Sequence, residues 1–140
     1  MKRQLVKFIA VALLLSVVSC TAEQSEQEKA AVDSAKTWLS IVDKGNYAKS
    51  WDEAAAYFKG ALKKDQWNSA LTAARTPLGA LVSRTVKNTA YKTALPDAPD
   101  GEYVVIVFES SFENKKTAIE TVTPMMDADG SWRVSGYYIK

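Results

Sequence analysis

Few side chains in this sequence could carry out chemistry, because the 140 residues include no histidine and a single cysteine, Cys20. That composition removes the usual zinc ligands, the Ser–His and Cys–His nucleophile pairs, and the side chain that titrates near neutral pH. Acid–base chemistry would therefore depend on carboxylates and tyrosines. Four of these lie close together along the chain and could converge in the fold: Asp43, Tyr47, Asp52 and Tyr57.

Two acidic loops are candidates for metal binding. The segment 127–130 carries two carboxylates and the segment 96–102 carries three. The first lacks the third spaced acidic position and the glutamate that completes a calcium loop, and the second is typical of a solvated turn. The six glycines are scattered singly and form no phosphate-binding loop. We therefore expect no metal site and no cofactor.

The N-terminus has the layout of an export signal, with three basic residues among the first seven and then an apolar run over 8–18. The run is too short for a transmembrane helix, which needs about 20 apolar residues. The following "VVSC" resembles the lipobox of bacterial lipoproteins, in which the cysteine is acylated and becomes the new N-terminus. The sequence thus predicts a signal peptide over 1–19, a lipidated tether over 20–24 and one domain over 25–140.

Acylated Cys20 would anchor this domain in the bacterial cell envelope, and Thr21 after it favours the outer membrane, facing the periplasm. Removal of the signal takes away three of the 18 basic side chains and leaves 15 against 16 acidic ones. A nearly neutral domain gives no electrostatic reason to expect nucleic-acid binding, which needs a basic surface. The expected partners are the membrane, an envelope protein or a small apolar ligand.

Helical patterns occupy the first half of the domain. Ser25 and Glu28 have the spacing of a capping box, apolar residues recur at steps of three and four up to Val42, and Gly45 ends the helix. A second helix is predicted with inward residues at Tyr47, Trp51, Ala54, Ala55 and Phe58. A third is predicted over 63–75, with Trp67, Ala70, Leu71 and Ala74 inward, and Pro77 and Gly79 stop it.

Strand patterns occupy the second half. They cover 81–95, 103–108, 117–126 and 132–139, with a tight turn at 127–130. The run 103–108 is uninterruptedly apolar, which predicts a central strand covered on both faces. Helices followed by antiparallel strands predict an α+β fold, with N-terminal helices packed on a four-stranded curved antiparallel sheet.

Several segments carry a family resemblance. "AKTWLSIVDKGNYAKSWDEAAAYFK", "PDGEYVVIVFESSF" and "ETVTPMMDADGSWRVSGYYIK" resemble the bacterial family called domain of unknown function 4019. Its members are small secreted or lipidated proteins without assigned activity. More distantly, "WLSIVDKGNYAKSW" is similar to the helical opening of nuclear transport factor 2-like domains. That resemblance implies a cystatin-like cone, in which a curved sheet wraps around helices and sometimes leaves a pocket.

Isomerases of this cone shape use an Asp base and a Tyr donor in an apolar pocket. In this sequence Asp43 lies at a predicted helix end. Asp52 lies in the first turn of the next predicted helix, where the helix dipole stabilises a carboxylate. We therefore expect a non-catalytic binding or accessory module, with a carrier of a small apolar ligand as the alternative and an Asp/Tyr isomerase as a third. Six aromatic residues are the candidate pocket or core residues: Trp38, Tyr47, Trp51, Trp67, Trp132 and Tyr137.

Overall fold

The computed structural model describes the chain from Ser19 to Lys140, with side chains from Ser25 onward, and it confirms the α+β class. Within these residues the helices come first and the strands follow. The helices are α1 (Ser19–Asp43), α2 (Tyr47–Asp52), α3 (Ala56–Ala61) and α4 (Lys64–Arg75), with a 3-10 turn at Thr76–Leu78. The strands are β1 (Leu81–Lys92), β2 (Tyr103–Phe112), β3 (Lys115–Met126) and β4 (Trp132–Ile139).

Helix α1 ends where the sequence predicts but begins earlier. Gly45 has a φ of 77°, its N–H donates to the carbonyl of Val42 at 2.9 Å, and the N–H of Asn46 donates to the carbonyl of Ile41 at 3.2 Å. These are the two hydrogen bonds of a Schellman cap, which confirms the role of Gly45. The predicted start at Ser25 is wrong, since the helix already includes Ser19. The intervening "TAEQ" contains good helix formers and no residue that breaks a helix.

The predicted second helix is divided in two. Ala55 lies between α2 and α3 in an extended conformation, and its N–H donates to the carbonyl of Val134 in β4 at 2.8 Å. A hydrogen bond to the sheet thus replaces the one that a continuous helix would make. Ala54 and Ala55 are completely buried, so the chain passes close to the sheet where only small side chains fit.

Helix α4 begins at Lys64, one residue after the predicted position. The side-chain Oε1 of Gln66 accepts a hydrogen bond from the N–H of Lys63 at 3.2 Å, which supplies half of a capping box. Trp67 and Leu71 are buried as expected. The prediction is wrong for Ala70 and Ala74, which are exposed on the side of the helix that faces β4.

The four strands form one antiparallel sheet in the order β1-β2-β3-β4, so each strand pairs with its neighbour in sequence. Every ladder contains a register shift, and such bulges bend strands and increase their twist. The tight turn between β3 and β4 is confirmed, because Gly130 has a φ of 81° and its N–H donates to Asp127. Strand β1 ends at Lys92 rather than Leu95, and β2 continues to Phe112.

The helices cover one face of the sheet. In β2, Val104, Ile106 and Phe108 are buried, whereas Val105 and Val107 are partly exposed. The prediction that this strand is covered on both faces is therefore wrong: the apolar run hides an alternation between a packed face and an open one. The inner face meets the helices in a core whose largest helical members are Trp38, Phe58 and Trp67.

Candidate functional site

An ionic network lies in the interior between the helices and the sheet. Arg84 of β1 donates through Nε to Glu120 Oε1 at 2.7 Å, and through Nη1 and Nη2 to the Asp43 carboxylate at 2.8 and 3.0 Å. Arg75, at the end of α4, donates through Nη2 to Asp43 Oδ1 at 2.7 Å. Glu120 is completely buried and Arg75 is 5% exposed. The network joins α1, α4, β1 and β3.

Two hydroxyl groups complete the surroundings of Glu120. Ser110 Oγ and Tyr137 OH each donate to its carboxylate at 2.5 Å, from β2 and β4. The guanidinium of Arg75 lies over the ring of Phe112, with 4.8 Å between its central carbon and the ring centroid. A buried carboxylate with this many donors avoids the free-energy cost of an unpaired charge.

The mutual contacts set the pKa values of these groups. Burial alone would raise the pKa of Asp43, but the hydrogen bonds from Arg84 and Arg75 outweigh it and lower that pKa below its ordinary value. Burial opposes the charge of Arg84, yet its hydrogen bonds to Asp43 and Glu120 raise the pKa of the guanidinium. Burial and the neighbouring Glu120 carboxylate raise the pKa of Tyr137.

This arrangement favours structure over proton transfer. Two guanidinium groups face two acidic side chains, so the formal charges cancel. Asp43 is a poor base near neutral pH because its pKa is lowered, and Tyr137 keeps its proton because its pKa is raised. The network therefore links six elements of the fold, and the pKa values of Asp43 and Tyr137 are both shifted away from neutral pH.

The Asp/Tyr set suggested by the sequence does not converge. Asp43 reaches the interior network, whereas Asp52 is on the surface, where its carboxylate pairs with Lys64 at 2.8 Å. The hydroxyl of Tyr57 donates to the backbone carbonyl of Asp97 at 2.9 Å, also on the surface. Tyr47 packs against the edge of the core. The four side chains consequently form no common site.

The predicted aromatic residues are mainly part of the core. Trp38 and Trp67 lie 6.0 Å apart between ring centroids, and Tyr137 lies 5.5 Å from Trp38. Both indole nitrogens donate to Ser50, at 2.8 Å to its carbonyl and 2.9 Å to its Oγ. Trp51 is partly buried, and its indole N–H donates to the carbonyl of Leu62 at 2.7 Å. Satisfied indole groups of this kind are expected in a packed interior.

Several of the same aromatic residues also border concavities at the edge of the helix–sheet interface. Trp38 and Trp132 border a cleft of about 310 Å³ between α1 and β4, which we call the α1–β4 cleft. Trp67 and Tyr137 border a groove of about 240 Å³ between α4 and β4, which we call the α4–β4 groove. Tyr47 borders a shallower hollow beside Gly45.

The carboxylates of the 127–130 turn are engaged with Arg133. Its Nη1 and Nη2 donate to Asp129 at 2.7 Å each, and Nη1 also lies 3.2 Å from Asp127. These contacts brace the turn against the first residues of β4. In the described part of the chain, no three Asp, Glu, Cys or His side chains come together as a metal site.

Sequence reasoning missed Arg75, Arg84 and Glu120 as partners. A sign was present for Glu120, which alternates with Ala118 and Val122 and so shares their inward face of β3. A charged residue at an inward position implies a buried partner. Its identity could not be read locally, because Arg84 lies 36 residues away in sequence.

The lipobox prediction falls on residues whose side chains the structure does not describe. The backbone of Cys20 and Thr21 belongs to α1, and the predicted signal peptide precedes it apart from Ser19. Among the described residues, no helix combines the length and apolar character needed to cross a membrane. The anchor, the domain boundaries and the envelope location stay predictions.

A comparison with models of known protein families identifies the family of this chain. The model of a family described as "Protein of unknown function (DUF4019)" matches residues 34–137, most of the chain and all of the packed helix–sheet unit except its ends. The chain belongs to the DUF4019 family. This confirms the resemblance found in the sequence.

A solved structure supports the fold of this DUF4019 protein. It is the crystal structure of a "putative ketosteroid isomerase" from Shewanella frigidimarina, with 20% sequence identity and a TM-score of 0.51. The alignment covers 79% of this chain and 94% of that one. At this identity the likeness shows the fold alone, which agrees with the nuclear transport factor 2-like resemblance. No curated protein matches the chain significantly.

Proposed function

We propose that this DUF4019 protein is a lipid-anchored module of the bacterial cell envelope that binds a partner or ligand and does not catalyse a reaction. The anchor would be acylated Cys20, which holds the domain at the outer membrane, facing the periplasm. The proposal is supported at the N-terminus by the export signal and the lipobox-like "VVSC". A cysteine with two or more acyl chains would bind a membrane stably, since each buried methylene contributes about 0.8 kcal/mol.

The observation that carries the non-catalytic part is the closed ionic network. Isomerases of the cone type need a free carboxylate base beside an apolar pocket. Here the interior carboxylates of Asp43 and Glu120 are held by Arg84, Arg75 and two hydroxyl groups. A substrate would have to displace these contacts before it could reach either carboxylate. Binding at the surface requires no such rearrangement.

The α4–β4 groove favours a second candidate, a carrier of a small apolar ligand. Its lining is almost entirely apolar and includes Trp67, Leu71, Tyr137 and Ile139. Apolar pockets with a few polar groups are the usual form of small-molecule sites, although this volume lies just below their common range of about 300–1,000 Å³. Native mass spectrometry of protein purified from its own membranes would test this candidate, because a carrier should retain a stoichiometric apolar ligand.

Cell fractionation tests the anchor. Cys20→Ala should abolish labelling by a radioactive fatty acid and move the protein out of the membrane fraction, while Thr21→Ala, which keeps the cysteine, should be labelled as in wild type. Circular dichroism should show both variants folded. If Cys20→Ala and wild type are recovered equally from membranes, the anchor proposal is wrong. Cross-linking of intact cells tests the binding role separately, because a binding module should be linked to a stoichiometric envelope partner.

A further inference from the structure

The α1–β4 cleft contains acidic side chains that no other part of the fold uses. Asp33 on α1 and Glu53 after α2 both line it, and both are exposed. Within the described residues, neither carboxylate has an ion pair or a side-chain hydrogen bond. This distinguishes them from Asp43 and Glu120, whose charges are compensated by arginines inside the fold.

The basic residue that lines the cleft does not neutralise them. Arg133 is committed to Asp129 and Asp127 across the β3–β4 turn, at 2.7 and 3.2 Å. Two unpaired carboxylates therefore line the cleft, while its one guanidinium group is already paired with Asp129 and Asp127. Such an excess attracts a cationic group and disfavours an anion.

An aromatic wall completes the cleft. Trp132 is partly buried, and within the described residues its ring makes no cation–π or ring–ring contact. The wall is fixed in place, since the carbonyl of Trp132 accepts a hydrogen bond from Ser34 Oγ at 2.7 Å. The carbonyl of Val134 accepts one from the N–H of Ala55. The face of a tryptophan attracts an ammonium or guanidinium group, most strongly where water is partly excluded.

We infer that the α1–β4 cleft binds an organic cation that carries a primary ammonium group, such as the lysine side chain of a peptide or a free diamine. The inference rests on the proposed binding function and names a ligand class for it. Asp33 and Glu53 supply the opposite charge, and the ring of Trp132 faces the cation. Ile41, which also lines the cleft and is partly exposed, contacts the methylene groups. The volume of about 310 Å³ suits a side chain or a small amine better than a large ligand.

The test is an NMR titration of the indole N–H signals of the full chain in a non-ionic detergent at low salt. The probes are acetyl-Ala-Lys-Ala-amide, the same peptide with its lysine Nε acetylated, and cadaverine. The lysine peptide or cadaverine should shift the Trp132 signal and leave that of Trp51 in place. Tighter binding of the peptide indicates a protein-borne lysine, and tighter binding of cadaverine indicates a small free amine.

Charge-neutral variants locate the site. Asp33→Asn and Glu53→Gln should each weaken binding about two- to fivefold, the range that exposed charge pairs give. Asp65→Asn, an exposed carboxylate on α4 outside the cleft, should leave the affinity unchanged. Equal binding of the acetylated peptide, no shift at Trp132, or the same loss in all three variants would overturn the inference. None of these results bears on membrane recovery of Cys20→Ala, so this inference and the anchor fail separately.

Discussion

Two arginines in this protein each bind two carboxylates, one in the interior and one on the surface. Arg84 contacts Asp43 and Glu120 at 2.7–3.0 Å in its shortest hydrogen bonds, and Arg133 contacts Asp129 and Asp127 at 2.7 and 3.2 Å. The chemistry is the same in both places. The surroundings differ, since Glu120 has no exposed surface whereas the Asp129 side chain is 55% exposed.

That difference in burial determines what each pair contributes. The surface pair joins residues four positions apart in one turn, and water and salt screen it. The interior network joins residues from 43 to 120 and thus fixes helices against the sheet. Its charges have already lost their water, so removal of one partner exposes the other to the full cost of an unpaired buried charge. Similar distances therefore imply different consequences for stability.

The largest expected effect comes from removing Arg84. Arg84→Ala should lower the free energy of unfolding by about 3–5 kcal/mol, because Glu120 stays buried without its guanidinium partner. Arg133→Ala should have a much smaller effect, since its main partner, the Asp129 side chain, is already 55% exposed to water. Urea denaturation followed by tryptophan fluorescence measures both. Equal losses in the two variants would mean that burial does not distinguish the regions.

A double variant keeps this test informative if Arg84→Ala does not fold. Replacement of a buried ion pair by apolar residues of similar size is often neutral or stabilising. Arg84→Met combined with Glu120→Leu should therefore recover a folded protein of higher stability than Arg84→Ala. A double variant that remains less stable than the single one would show that the network is needed as a whole.

Unfolding in acid tests the interior network through the pKa of Asp43. Its pKa in the folded protein is lowered from the ordinary 3.8, mainly by Arg84 and Arg75 against the opposing effect of burial. The folded state thus binds this proton less tightly than the unfolded state does. The resulting stability is fully present above pH 3.8 and is lost as the pH falls below that value towards the lower folded pKa.

The same direction applies to Asp129, whose pKa is lowered first by its hydrogen bond with Arg133. Added salt should distinguish the stability contribution of Asp43 from that of Asp129. In acid unfolding at low salt, Asp43→Asn and Asp129→Asn should both flatten the loss of stability with falling pH. At about 0.5 M salt, where charges on the surface are screened within a few ångströms, the difference due to Asp129→Asn should shrink and that due to Asp43→Asn should persist. If salt reduced the effects of Asp43→Asn and Asp129→Asn equally, the contrast between the interior network and the surface pair would be wrong.

The sequence predicts the local features of this fold better than the long-range ones. Gly45 and the 127–130 turn follow from residue type and spacing, because a left-handed backbone position and a two-strand turn are decided within a few residues. The division between α2 and α3 was not predictable in this way. It depends on a hydrogen bond from Ala55 to Val134, 79 positions further along the chain.

The candidate site shows the same limit. The aromatic stripes could be recognised from their spacing, but how deeply each ring is buried depends on which element packs over it: both Trp38 and Trp132 border the α1–β4 cleft, yet only Trp38 is buried. Asp43 was recognised as a helix-end carboxylate, yet its role comes from Arg75 and Arg84, which lie 32 and 41 residues away. Charges pair across the interior according to the topology, and local pattern carries no information on that pairing.

The smallest expected effect is that of Asp52→Asn, at the junction that follows α1, where the partly buried Trp51 and the exposed Asp52 are neighbours. Trp51 packs against the core and donates to Leu62, whereas Asp52 pairs with Lys64 in water, with side chains 50% and 41% exposed. Asp52→Asn should therefore lower the free energy of unfolding by only about 0.2–1 kcal/mol, and Trp51→Ala by about 3 kcal/mol or more. Thermal and urea unfolding measure both. If Asp52→Asn removes binding of a ligand or partner while Trp51→Ala is tolerated, the junction is a functional site, and its exposed carboxylate is part of that site.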